Sequence, residues 1–281
     1  MRPSPPRLTK HHGLGNDFVV VLDPDAAHPV DAELARALCD RHTGIGADGV
    51  MRATPDVADG GPCTRMELRN ADGSRAEMSG NGIRCLAQAL LLARLTLAPQ
   101  LPVLTDAGLR IVTVHARVDT VTHSLSVAMG PARVDGEAPE WTGGDVARAL
   151  LVDMGNPHLV LDLSPAGSEV AAEVDLVALG ESVNGKVPGG ANVHLLTGVA
   201  DGGIAIRTYE RGVGPTLACG TGACAAAVAA RAWGLAGDVV PVDMPGGRAE
   251  VTLGASAGAD VVLRGPATYV GAIELGASPW R

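Results

Sequence analysis

Aromatic side chains are scarce in this sequence: six among 281 residues, Phe18, Trp141, Tyr209, Trp233, Tyr269 and Trp280. A nucleic-acid surface needs stacking platforms beside basic stripes, whereas this chain sets 31 acidic side chains against 22 basic ones, a formal net charge of −9. No nucleic-acid partner is expected, and a small polar substrate fits better than a polyanion. Long apolar runs are also missing. The longest candidate, Leu86 to Leu97, is interrupted by Gln88 and Arg94, short of the ~18–20 apolar residues a membrane helix requires. The opening MRPSPPRLTKHH runs into GLGNDFVVVLD without the apolar segment and cleavage site of a signal peptide, so a cytoplasmic protein is expected. The five cysteines, at 39, 63, 85, 219 and 224, include no CxxC pair, and no HExxH helix groups the histidines. Neither a disulfide framework nor a metal site is indicated.

What the chain does hold is a repeat. SGNGIRCLAQALLLARL from Ser79 and CGTGACAAAVAARAWGL from Cys219 stand 140 positions apart. Each places a small nucleophilic side chain before a Gly-x-Gly turn and an Ala/Leu-rich helix, and the length suits roughly two ordinary domains. Phe18–Leu22 reads as a strand and AELARALCDRH, opened by Asp31, as a short helix. MELRN and RAEMS flank the turn Ala71–Ser74 as a hairpin that delivers the chain to Ser79. Val103–Met129 alternates apolar and polar residues as antiparallel strands do. The second half repeats this style, with strands near Leu151, Val160, His194 and Ile204–Tyr209, a helix from Gly220, and strands again to Leu263. An α+β fold follows, one central helix wrapped by mostly antiparallel strands in each half. With Gly130-Pro131 as the boundary, the domains are 1–130 and 131–267, the tail 268–281 returning to the first.

The segment Gly44–Gly49 matches GxGxxG, the dinucleotide signature, but a helix precedes it and the VMRATPDVADGGP that follows is no helix. Its glycines are read as turn formers. The two motif helices deserve the opposite weight: helix N-termini bind carboxylates through free N–H groups and lower the pKa of a thiol placed there. Around them stand loop asparagines, Asn16, Asn70, Asn156 and Asn192, each taken singly a turn former. Glu210-Arg211 could hold an amine and a carboxylate. His158 could tune a nearby thiol or satisfy a loop.

HGLGNDFVVVLD, RHTGIGADG, RNADGS, GNGIRC, MGNPH, ANVHLL and YERGVGPTLACGTGACAAA, in this order, together resemble the diaminopimelate epimerases. The resemblance implies two pseudo-symmetric α+β domains with the active site in the cleft between them. It also implies a cofactor-independent homodimer that interconverts LL- and meso-diaminopimelate in lysine biosynthesis. Two cysteines of the family face the substrate α-carbon from opposite sides; Cys219 matches one, and Ser79 stands at the position of the other. Substrate-binding positions fall on Asn16, Asn70, Gly80, Asn81, Asn156, Asn192, Glu210, Arg211, Gly220 and Thr221, and His158 and Glu210 fall on positions that influence the thiol pKa. Gly49 replaces a family Gln and Pro215 a Glu. A serine hydroxyl is a far weaker acid than a thiol, so poor epimerisation is expected. Three alternatives stand beside this reading: a racemase of another amino acid, a one-base isomerase or dehydratase of the same fold, and a catalytically silent amino-acid-binding protein.

Overall fold

A computed structural model describes residues 5–58, 60–256, 258–276 and 279. The chain divides into two compact units, Met1–Val127 with Gly265–Arg281, and Ala128–Arg264. Among the described residues no helix is long and apolar enough to cross a membrane.

The first unit runs β1 (Arg7–Gly13), β2 (Asn16–Leu22), α1 (Ala32–Cys39), β3 (Gly49–Ala58), β4 (Gly61–Asn70), β5 (Arg75–Ala76), α2 (Gly80–Leu92), β6 (Gln100–Thr105), β7 (Gly108–Arg117) and β8 (Thr122–Pro131). The second runs β9 (Arg133–Glu137), β10 (Arg148–Asp153), β11 (Pro157–Asp162), α3 (Ser168–Glu173), α4 (Leu176–Lys186), β12 (Asn192–Ala200), β13 (Gly203–Glu210), β14 (Gly214–Thr216), α5 (Gly220–Ala232), β15 (Val239–Met244), β16 (Gly247–Thr252) and β17 (Asp260–Ile273).

The two units share one pairing scheme. β2 lies parallel to β3, which is antiparallel to β4, and β4 is parallel to β6. In the same way β11 lies parallel to β12, β12 antiparallel to β13, and β13 parallel to β15. Phe18 pairs with Gly49 and His158 with Asn192 at corresponding places. β17 serves both units: Val262–Arg264 pair with β16, and Thr268–Ile273 pair with β1. In the first unit this makes a closed ring of strands, β1-β2-β3-β4-β6-β7-β8-β17. Of the tail expected to return to the first half, Ala277, Ser278, Trp280 and Arg281 lie outside the described residues.

The central helices are apolar all round because they are enclosed all round: α2 is buried from Gly80 to Leu90, and α5 from Gly222 to Ala230. Both stop alike, with a left-handed residue, Arg94 (φ 57°) or Gly234 (φ 72°), just past the end. There the N–H of Leu95 reaches the carbonyl of Leu90, and that of Leu235 the carbonyl of Ala230. The enclosed faces differ. α2 buries Arg84 and Gln88 where α5 has Cys224 and Val228, and the Arg84 guanidinium is held at 2.8 Å from Gly80 O and 2.7 Å from Asn81 Oδ1. Strands β1, β3, β9 and β14 and helices α3 and α4 were not marked by the sequence.

Candidate active site

Both motif residues cap their helices, and with nearly the same backbone. Ser79 has φ −137°, ψ 123°, and Cys219 φ −122°, ψ 117°. The Gly82 N–H donates to Ser79 Oγ at 3.0 Å, and the Gly222 N–H to Cys219 Sγ at 3.4 Å. An N-cap side chain satisfies one of the helix's orphan donors, while the amides of the first turn, Gly80-Asn81 and Gly220-Thr221, have no acceptor within the helix. Helix starts of this kind bind anions.

The surroundings of the two caps differ in kind. Strand register sets Asn70, Phe18 and Met51 in the first unit where the second has Glu210, His158 and His194. In the first unit Asn16 donates to Asp48 Oδ2 at 2.8 Å and accepts from Asn81 at 3.4 Å. Asn70 donates to Ser74 Oγ at 3.1 Å. Asp48 is tied in turn to Arg41 at 2.7 Å, and Arg41 to Asp17. These amides are therefore oriented by neighbours, and none of the four residues Ser79, Asn70, Phe18 and Met51 ionises near neutral pH.

In the second unit Cys219 is buried, and Thr216 donates to Glu210 Oε1 at 2.7 Å. Burial pushes the Cys219 thiol well above its usual range, and the Glu210 carboxylate adds to that shift. The helix start works in the other direction through the Gly222 N–H but is outweighed. The sequence led us to expect a lowered thiol pKa at this helix start; desolvation, which penalises the thiolate, reverses it. Asn192 braces the turn, accepting from the Arg211 N–H at 2.9 Å and donating to Pro157 O at 3.4 Å. The Arg211 guanidinium donates to Gly189 O.

His158 and His194 are fully buried and joined, Nδ1 of the first to Nε2 of the second at 2.8 Å. Beyond them lie Asn156 Oδ1, 2.8 Å from His158 Nε2, and Thr208 Oγ1, 3.1 Å from His194 Nδ1. Burial holds both rings neutral: His194 is lowered to about 3, and His158 well below the usual histidine value, with His194 and Arg211 adding to the effect. His194, Thr208, Thr216 and Asp48 were not singled out from the sequence. The signal was there in the strand period: residues two apart share a face, so Asn192 marks His194 and Glu210 marks Thr208.

His194 also fills the floor under the second helix start. A Cβ added at Gly222 would stand 2.1 Å from His194 Cε1, whereas one at Gly82 would meet the flexible Met51 sulfur at 3.0 Å. We expect Gly222→Ala to lower the melting temperature and to cost about 1–3 kcal/mol of overpacking, outweighing the helix propensity gained. Gly82→Ala will cost less, because methionine adapts and a ring held by two hydrogen bonds does not. Thermal unfolding of the two variants checks the order.

This architecture recurs in solved racemases and epimerases. A probable proline racemase from Agrobacterium radiobacter K84 superposes with a TM-score of 0.71 at 20% identity, covering 98% of this chain and 94% of that one. A predicted epimerase from Pseudomonas aeruginosa gives 0.73 at 17%, covering 97% and 100%. The fold is therefore the pseudo-symmetric two-unit α+β fold of that class. Sequence narrows it: the profile of diaminopimelate epimerase matches residues 8–134 and 150–270. The diaminopimelate epimerase of Mycobacterium tuberculosis is 39% identical over 287 residues, 97% of this chain and 98% of its own length. That of Mycolicibacterium paratuberculosis is 40% identical over 294 residues, 98% of each. The chain belongs to the diaminopimelate epimerase family, and it is an isomerase.

Proposed function

We propose that this enzyme acts on diaminopimelate at one α-carbon, in lysine biosynthesis, with Cys219 as the working base and Ser79 standing where a second proton-transfer group is needed. The observation that carries this reading is the contrast between the units: Cys219 lies beside the ionisable Glu210, while the strand positions that match Glu210, His158 and His194 hold Asn70, Phe18 and Met51 in the unit of Ser79. The substrate α-carboxylate takes the open amides at a helix start. Its α-ammonium pairs with Glu210, which cancels the part of the Cys219 shift that this carboxylate adds to burial. In the fraction of enzyme whose Cys219 has released its proton to solvent, the thiolate removes the α-proton, leaving a carbanion stabilised by the adjacent carboxylate. Return of the proton to the face that Cys219 deprotonated restores the starting configuration; inversion needs an acid on the opposite face, the part the family resemblance gives to the position of Ser79. The hydroxyl of Ser79 is a poor acid, so the first outcome dominates.

The test is incubation with LL- and with meso-diaminopimelate in heavy water, followed by NMR at the α-carbons. Deuterium is expected to enter one of the two isomers, with little conversion to the other. Equal exchange of both isomers with rapid interconversion would show that Ser79 suffices. Silence with both, without binding, would reject the substrate. The same contrast favours a second reading, a one-base isomerase of this fold on another amino acid, which predicts silence toward diaminopimelate and exchange with its own substrate.

A further inference from the structure

We propose that His194, backed by Thr208, is a positioning residue for the ligand site: through His158 it turns the Asn156 carboxamide so that its N–H donors face the ligand, favouring a carboxylate there over an ammonium. This rests on the diaminopimelate reading above. One chain of hydrogen bonds crosses three adjacent strands, from the head of β11 through β12 to β13. Asn156 Oδ1 meets His158 Nε2 at 2.8 Å, and a carboxamide oxygen only accepts. His158 Nε2 therefore carries the hydrogen. A neutral imidazole has one N–H, so His158 Nδ1 accepts, and the donor opposite it at 2.8 Å is His194 Nε2–H. His194 Nδ1 is then an acceptor as well, served by the Thr208 hydroxyl at 3.1 Å.

Direction is thus common to the whole chain, and Thr208 sets it from the far end. A hydroxyl beside His194 Nδ1 stabilises the tautomer with hydrogen on Nε2; that proton demands an acceptor on His158, whose own proton demands the oxygen of Asn156. Both rings are buried and neutral, so no second proton blurs the pattern. At the near end Asn156 is half-buried, and among the described residues its Nδ2 makes no hydrogen bond. Two donors are left over for a ligand, while the oxygen is turned toward His158. Asn81 in the first unit is held the same way by Arg84, its Oδ1 turned inward at 2.7 Å.

The deciding measurement is side-chain ¹⁵N NMR of the wild-type enzyme, which reads histidine tautomers without any ligand. His158 and His194 are expected as neutral Nε2–H forms from pH 6 to pH 8. Thr208→Val removes the terminal donor; it should shift the His194 tautomer equilibrium and weaken calorimetric binding of LL- and meso-diaminopimelate about tenfold, the worth of one buried hydrogen bond. Thr208→Ser keeps the hydroxyl and is expected to restore both readouts to within about twofold of wild type. An Nδ1–H or cationic form of either histidine, or Thr208→Val binding within twofold of wild type, overturns the proposal. If wild type binds neither isomer, the substrate reading fails and the orientation claim falls with it, whereas reversed tautomers with intact binding reject the orientation alone.

Discussion

Ser79→Cys is expected to raise the rate of epimerisation by about two to four orders of magnitude, the usual contribution of a positioned general acid or base. The backbone is ready for it: Ser79 and Cys219 share the same extended conformation and the same cap hydrogen bond from the third helical residue. Sulfur at Ser79 adds volume beside Met51, a side chain that adapts. Binding should change little while turnover rises, so the gain will appear in kcat rather than KM. Solvent deuterium, confined to one isomer in the enzyme as it stands, will then enter both. If the cysteine variant gains less than about threefold, Ser79 is not the missing acid, and the one-base reading becomes the better one.

Cys219→Ala is expected to abolish α-proton exchange with either isomer, a loss of at least the same two to four orders, with binding retained. The pH dependence of the intact enzyme follows from the direction of the thiol's shift. Burial first, and then Glu210, raise the Cys219 pKa well above its usual range. The base is the thiolate, so its fraction and the exchange rate will climb about tenfold per pH unit below that pKa, from pH 6 upward, with no plateau near neutrality. Glu210→Gln removes a negative neighbour, which stabilises the thiolate and moves the rising limb of Cys219 alkylation to lower pH. Movement of that limb to higher pH would mean that Glu210 assists ionisation, and would reverse the electrostatic account.

Much of this architecture is written locally. Caps, glycines and apolar enclosure mark α2 and α5, and a hairpin turn at Ala71–Ser74 marks the approach to Ser79, because each signal lies within a few residues. β3 was harder. GVMRATPDVA carries a proline and an aspartate yet forms a strand, because its place between β2 and β4 outweighs its weak alternation. α3 and α4 lack the strong apolar stripe of a long helix, and Asp175 capping α4 is their plainest signal. Of the site, the residues in loops and at helix starts were legible from their motifs. His194 and Thr208 were not, since a buried polar residue on a strand is recognised by its partners, and those come from neighbouring strands. The thiol's environment was legible in identity and not in sign, as the depth of burial depends on the whole enclosing sheet.

The division of β17 between two pairing partners bears on how the protein comes to be made. The first unit cannot close its ring of strands until Thr268–Ile273 reach β1, although the rest of that unit is synthesised before Ala128. During translation β1 and β8 therefore stand as open edges while the whole second unit is produced, the kind of unpaired strand that invites pairing with another chain. The strand that removes this exposure is thus made only after the second unit.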